Sequence, residues 1–182
     1  MFHVKQFDRE AYLSLLRLWD RKHRLVGRTR PDRLYRESVE SLRSLPAALI
    51  SNAIIDLGAG NGILGIPALL DGLSKKVCLI EPLPKKVAFL EAVKAEMRLM
   101  GDDRYLNLLI IPRPVQNVSR ETLECYLGPD LSSVPVLSRA FSGNLTMNEA
   151  LRSSCLKENP CYKFFVLDEV KPPKYVLVRE EI

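Results

Sequence analysis

The apolar run Ala53 to Leu57, broken only by Asp56, leads directly into Gly58-Ala59-Gly60-Asn61-Gly62, and an apolar helical pattern through Ile66, Ala68, Leu69 and Leu70 follows. Glycines in this position let the chain turn sharply between a buried strand and a helix, and let the backbone approach a ligand closely. A chain with this junction is expected to build an α/β sheet with its ligand at the end of the first strand.

The rest of the pattern agrees. Short apolar strands alternate with helices, which predicts a mostly parallel, twisted sheet covered on both faces. Strands are expected at Ala53–Leu57, Val77–Ile80, Leu108–Ile111 and Val134–Leu137, then at Lys163–Leu167 and Tyr175–Val178. The last two are joined by a tight, proline-bearing turn and are expected to pair antiparallel. Helices are expected at about Lys85–Leu99, where Val87, Leu90, Val93 and Met97 line one face, at Ser119–Tyr126, and at Glu149–Leu156. Before the sheet, Asp8 is placed to cap a helix carrying Ala11, Leu15, Leu18 and Trp19, with Leu16 widening its apolar face. Asp32 is placed to cap a second helix carrying Leu34, Val39, Leu42 and Leu45, which Pro46 stops. The chain divides on this reading into an N-terminal basic helical cap, 1–50, and a Rossmann-like domain, 51–182.

At 182 residues the chain suffices for one α/β domain with a sizeable core and is short for a second. No apolar run approaches the roughly 18 residues of a membrane span, and Met1 to Arg9 lacks the apolar core of a signal peptide, so a cytoplasmic location without membrane attachment is expected. Cys78, Cys125, Cys155 and Cys161 form no Cys-x-x-Cys pair and have only His3 and His23 to help them, which predicts reduced structural thiols and no required metal. The first 50 residues hold 11 Lys and Arg against 6 Asp and Glu, whereas the remainder is balanced. An anionic partner is therefore expected to meet the N-terminal segment, although a basic stripe also serves simply to keep a helix soluble.

Two acids bear on the ligand. Asp56 stands in the strand end ahead of the first glycine, where it can orient the loop and meet a cofactor ammonium through a water or backbone relay. Glu81 ends the second strand, where it can accept both hydroxyls of a ribose. Gly60-x-Gly62-x-x-Gly65 also satisfies the dinucleotide expression, so Glu81 indicates adenosine rather than which adenosine cofactor. The lack of room for a second catalytic domain favours S-adenosylmethionine, held by Asp56, Gly58, Gly60, Gly62 and Glu81. Asn117 is a candidate for the adenine edge, with Ile111 and Pro112 as an apolar wall against the base. Lys85 and Lys86 begin the next helix and read most simply as solvent-exposed.

Asp56-Leu-Gly-Ala-Gly-Asn-Gly-Ile-Leu-Gly-Ile-Pro67 resembles the Asp-x-Gly-(Ser/Ala)-Gly-x-Gly-Phe-Pro-Gly-Ile-Pro signature of the bacterial RsmG (GidB) family, whose members methylate N7 of a guanine in 16S ribosomal RNA. Lys85-Lys-Val-Ala-Phe-Leu90 resembles the family's Lys-(Lys/Arg)-x-x-Phe-Leu, and Ser138-Arg-Ala-Phe141 its Ser/Ala-Arg-Ala-Phe/Val. Leu18-Trp19 followed by Leu25, and Ser41-Leu42, are similar to its N-terminal stretches. The chain departs from the family at Leu64, at Arg24 and Val26 where Asn and Thr are usual, at Glu37 and Glu40 in place of His and Asp, and at Asp168-Glu169 in place of Lys-Gly.

The resemblance implies a class I methyltransferase acting on ribosomal RNA or an assembling small subunit. It also implies Arg139 as the substrate-side catalytic residue and Arg113 as a contact to phosphate or base. The basic face of the first helix supplies Arg17, Arg21 and Lys22 for phosphates. Two other functions stay open at this point: a small-molecule methyltransferase, and a noncatalytic cofactor-binding protein of ribosome assembly.

Overall fold

The structure, a computed structural model, describes residues 6–27, 30–138, 164–168 and 174–178. Helix α1 (Arg9–His23) starts as expected, with the Asp8 carboxylate accepting from the Ala11 N–H at 2.9 Å. It ends at Arg24, which at φ +51° is the only non-glycine residue in the left-handed region among the described residues. Helix α2 (Pro31–Arg43) starts differently from expectation, because Arg30 is the N-cap and no side chain caps it. Pro31 brings a preset φ and lacks an N–H that would need a partner, so Asp32 falls inside the first turn instead. There it complements the helix dipole and meets Arg17 at 2.7 Å. Pro46 does not end α2, which stops at Arg43; it opens α3 (Ala47–Ile50), a single turn with no periodic signature.

The strands are β1 (Ala53–Leu57), β2 (Lys76–Ile80), β3 (Leu108–Ile111), β4 (Val136–Ser138), β5 (Phe164–Asp168) and β6 (Lys174–Val178). They form one sheet in the order β3-β2-β1-β4-β5-β6, parallel throughout except for the antiparallel β5–β6 pair. Helices α4 (Gly65–Leu70), α5 (Pro84–Leu99) and α6 (Arg120–Leu127) connect the first four strands. Strand β4 begins two residues later than the apolar run suggests. A 3₁₀ turn over Leu131–Ser133 draws the Val134 N–H to the Leu131 carbonyl at 3.1 Å, and the Pro135 carbonyl accepts from Ile55 N–H ahead of regular pairing. The helix expected at Glu149–Leu156 and the turn at 169–173 lie outside the described residues.

Alternation along the strands sorts the core into two layers. Ile54, Val77, Leu79, Leu108, Ile110 and Leu137 face the layer that holds α1, α2, α4 and α5. Ile55, Leu57, Cys78, Ile80, Ile111 and Val136 face α6 and its flanking turns. Phe7, Tyr12, Leu13 and Leu16 of the N-terminal segment are wholly buried within the first layer. Burial pushes the Cys78 thiol up to about 12, with Asp56 adding to the effect, so this cysteine is an inert packing residue. The chain builds outward from β1 to β3 and then returns past β1 to β4, so the sheet's topological switch point lies between β1 and β4, where open α/β sheets bind ligands.

One polar hub ties the N-terminal segment to the sheet. Arg104 donates to the Phe7 carbonyl ahead of α1 at 2.7 Å, to the Leu70 carbonyl ending α4 at 2.9 Å, and to the buried Asp102 carboxylate. Burial opposes the charge on Asp102, but the hydrogen bonds from Arg104 win and hold its carboxyl below the usual carboxylate range. The stability this provides is present above the unfolded value of about 3.9 and is lost as pH falls through the lower folded value. Asp102→Asn is therefore expected to unfold at lower denaturant concentration than wild type at pH 7, with the gap closing as both are titrated below about pH 4. Urea unfolding from pH 7 to pH 2 measures this, and a gap that does not change with pH refutes the charge-based role.

Candidate functional site

The glycine loop crosses the C-terminal ends of the strands in a series of short backbone steps. Gly58 N–H and Ala59 N–H both donate to the Ile80 carbonyl that ends β2, at 2.9 and 3.1 Å. Glu81 N–H in turn donates to the Ile111 carbonyl that ends β3, at 3.1 Å. On the other side, the Ser138 hydroxyl at the end of β4 donates to the Leu57 carbonyl at 3.0 Å. Four strand ends are thus held level beneath one loop. Gly58, Gly60 and Gly62 take φ of +67°, +63° and +72°, values an L side chain rarely adopts.

Glu81 organises this surface. Its side chain is 2% exposed, yet one carboxylate oxygen accepts from Gly60 N–H at 2.7 Å and the other from Leu83 N–H at 2.9 Å. Lys86, in the first turn of α5, brings its ammonium to 4.0 Å of the same carboxylate. A carboxylate has about four acceptor positions, so two backbone bonds leave capacity for the paired hydroxyls of a ribose. A Cβ built at Gly60 finds nothing nearer than the Gly58 carbonyl at 3.8 Å and Lys86 Nζ at 3.9 Å. Nothing crowds Gly60, so its backbone, with that of the exposed Gly58, can be approached at the place where an adenosyl group would lie. On both counts the residues fit such a cofactor.

The other residues of the motif serve packing. A Cβ at Gly65 would collide with Leu79 and Val77 of β2, and one at Gly62 would overlap Ile66 and come within 2.9 Å of Leu90. Gly62 and Gly65 therefore bring α4 and α5 against the sheet. Asp56 is 1% exposed, and its carboxylate accepts from Gly65 N–H at 3.0 Å, pinning the start of α4 to β1. It orients the loop from below. Asn61, which the sequence reading left without a role, binds both α1 and the chain after it; its polar side chain between two glycines was the available signal.

The outlying candidates fall in different places. Ile111 is buried at the end of β3, whereas Pro112, Arg113 and Asn117 are exposed on the segment that follows it. Arg21 and Lys22 are exposed in the last turn of α1. Arg17 is 38% exposed and its guanidinium is taken by Glu10 at 2.9 Å and Asp32 at 2.7 Å, so its charge is largely answered within the protein. Of the two lysines in the first turn of α5, Lys85 is exposed as anticipated and Lys86 is half-buried against Glu81. Arg139 lies outside the described residues; β4 delivers the chain as far as Ser138, at the switch point.

A family model described as GidB, rRNA small subunit methyltransferase G, matches residues 6–110. A ribosomal RNA small subunit methyltransferase G from Aliarcobacter butzleri is 29% identical over 158 residues, covering 87% of this chain and 73% of its own. Proteins of the same description from Pseudomonas aeruginosa and Myxococcus xanthus are 33% and 36% identical over 96 and 93 residues. Those two alignments take in about half of this chain and 45% and 43% of the relatives, so the chain spans less than half their length. Among solved structures, a candidate RNA methyltransferase from Pyrococcus horikoshii superposes with a TM-score of 0.50 at 17% identity, covering 90% of this chain and 74% of its own. A protein in the NADB-Rossmann superfamily from Streptococcus agalactiae gives 0.51 at 10% identity, covering 75% and 54%. At these identities the likeness shows the fold alone, a Rossmann-like sheet.

The two loop glycines are expected to respond differently to a methyl group. Gly60→Ala meets only the strain of a left-handed alanine, about 1–2 kcal/mol. Gly62→Ala adds to the same strain an overlap with Ile66 and Leu90, a further 1–3 kcal/mol or so typical of an overpacked core. Urea unfolding of both variants measures the difference, and equal destabilisation would show that the Ile66–Leu90 side of Gly62 is not tightly packed.

Proposed function

Since its residues 6–110 match the family model, the chain belongs to the rRNA small subunit methyltransferase G (GidB) family, and we propose that it transfers the methyl group of S-adenosylmethionine to N7 of a guanine in small-subunit ribosomal RNA. The Glu81 carboxylate, buried at the strand ends and bonded to the loop that an adenosyl group would lie upon, supports the cofactor half of this reading, and the family match supports the ribosomal RNA half. The reaction is placed in the cytoplasm, on ribosomal RNA or an assembling small subunit.

When bound, the cofactor supplies an electrophilic methyl group on a sulfonium. Guanine N7 carries an exposed lone pair and no proton. Attack by that lone pair would leave the S–C electrons on sulfur and would need no general base from the protein. The protein's work is therefore positioning and electrostatics. Glu81 accepts the ribose hydroxyls, and Gly58, Gly60 and Gly62 let the backbone come close. Asp56 keeps the loop seated on α4, and Asn117 takes the adenine edge. On the substrate side Arg139, next after Ser138, holds the guanine, leaving N7 clear by engaging O6. Arg113 contacts phosphate or base from beyond β3.

Phosphates further along the RNA are assigned to Arg21 and Lys22, in the last turn of α1. The Glu10–Arg17–Asp32 ion pairs make Arg17 the weaker contributor of the three. The Asn61 side chain donates to the Leu25 carbonyl, which keeps this basic turn near the glycine loop. A target guanine already unstacked in a loop avoids the few kcal/mol of extrusion.

The test is single-turnover transfer from labelled S-adenosylmethionine to unmodified ribosomal RNA and small subunits, followed by mapping of the methylated base and atom. Glu81→Ala is expected to weaken cofactor binding by about 1.5–3 kcal/mol, read by calorimetry. Arg139→Ala is expected to keep cofactor affinity and lower the saturated rate on the order of 100-fold. Arg21→Ala and Lys22→Ala are expected to raise the RNA concentration required and flatten its salt dependence. Cofactor binding without transfer to any RNA substrate would refute the enzymatic reading in favour of a noncatalytic assembly role.

A further inference from the structure

Asn61 stands between two glycines in left-handed conformation, and three of its polar atoms are engaged with their surroundings. Its carbonyl accepts from the Tyr12 hydroxyl of α1 at 2.9 Å, its Oδ1 accepts from Ile63 N–H at 3.2 Å, and its Nδ2 donates to the Leu25 carbonyl at 3.2 Å. Both outside partners are themselves fixed. Tyr12 is wholly buried, with its ring tilted on Tyr35 of α2 at 6.1 Å and on Phe89 of α5 at 6.3 Å. Beside Leu25, the Val26 N–H donates to the Asp20 carboxylate at 2.6 Å, and the Val26 side chain is buried.

We propose that Asn61 is a positioning residue of the cofactor site, through which the N-terminal segment holds Gly60 and Gly62 in the conformation that receives the adenosyl group. The inference rests on the reading of this loop as an S-adenosylmethionine site. Glycine-flanked loops lose more conformational freedom on ordering than any other, and fixing a residue's backbone costs about 1–2 kcal/mol. Glu81 fixes Gly60 from the sheet side, and Asn61 fixes the following peptide from the opposite side, through α1. The family signature leaves this position open, and the stretch that Asn61 reaches, at Leu25, lies between Arg24 and Val26, where the chain departs from the family's Asn and Thr. In this chain the loop itself supplies a bond that holds that stretch. The N-terminal helices are thus part of the cofactor site rather than a lid laid over it.

The test uses the full chain and four proteins: wild type, Tyr12→Phe, Asn61→Ala, and the control Tyr126→Phe, which removes a hydroxyl on α6 across the sheet. Tyr12→Phe deletes the donor to Asn61 and keeps the ring among Tyr35 and Phe89. Dissociation constants for S-adenosylhomocysteine are measured by calorimetry well below the melting temperature of every variant. Amide hydrogen exchange over residues 58–65 is followed without cofactor. Tyr12→Phe, which removes one neutral hydrogen bond, is expected to raise the dissociation constant about three- to tenfold, and Asn61→Ala, which removes two, at least as much. They are also expected to speed exchange in the loop, while Tyr126→Phe changes neither. A purely structural role would lower the melting temperature and leave affinity and loop exchange as in wild type. An unchanged dissociation constant or unchanged loop exchange in both variants overturns the inference. Failure of the wild type to bind overturns the cofactor reading itself, and this inference with it.

Discussion

A buried carboxylate must be answered by hydrogen bonds or lose its charge, and the loop over this sheet is arranged around that requirement at Glu81. The answering groups are the N–H of Gly60 in the loop, the N–H of Leu83 just before α5, and the ammonium of Lys86 one turn later. Each belongs to an element that must be correctly placed for the bond to form. The end of β2, the glycine loop and the start of α5 are thus mutually dependent. Withdrawing the loop would strip Glu81 of its shortest bond in a place water scarcely reaches. The loop conformation that would suit an adenosyl group is therefore also one that answers the acid.

The same economy of roles runs through the glycine motif. Its residues look equivalent in a signature, but Gly58 and Gly60 keep accessible backbone whereas Gly62 and Gly65 are buried. Gly62 and Gly65 exist to let Ile66, Leu90, Leu79 and Val77 close up behind the loop. Asp56 anchors the start of α4 to β1 rather than reaching outward, since its carboxylate accepts from Gly65 N–H in a buried position. Helix packing below the loop and hydrogen bonds on both sides restrict its glycines.

Helix α1 serves two surroundings at once. Its inner stripe of Tyr12, Leu13 and Leu16 is continuous with the sheet's core, and Tyr12 reaches the loop backbone. Its outer face carries Arg17, Arg21 and Lys22, which add to the positive balance of the first 50 residues. Part of that charge is internal to the protein: Arg17 is paired with Glu10 and Asp32, and Arg33 with Glu37. Local pairing of this kind makes net charge an overestimate of what a polyanion would meet, and it concentrates the remaining attraction at the end of α1 near the glycine loop.

What the sequence by itself determined is everything carried by short-range pattern. Strand β3 and the run Ala53–Leu57 fall where their apolar residues place them, α5 begins one residue before expectation, and β5 and β6 pair antiparallel as the short proline-bearing connection requires. Glu81 stands at the loop because an acid ending the second strand of such a sheet is carried there by the parallel register of β1 and β2. The start of β4 and of α2 were displaced from expectation by local causes, a turn closing on Leu131 and Pro31 at the first helical position, whereas the single turn α3 and the pairing of Asp32 with Arg17 on another helix were not legible. Nor was Asn61, whose hydroxyl partner lies 49 residues away. Periodicity and turn chemistry are properties of neighbouring residues and survive in the sequence; ion pairs, buried hydrogen bonds and glycine close contacts belong to segments that meet only after the sheet has formed, so the tertiary structure alone decides them.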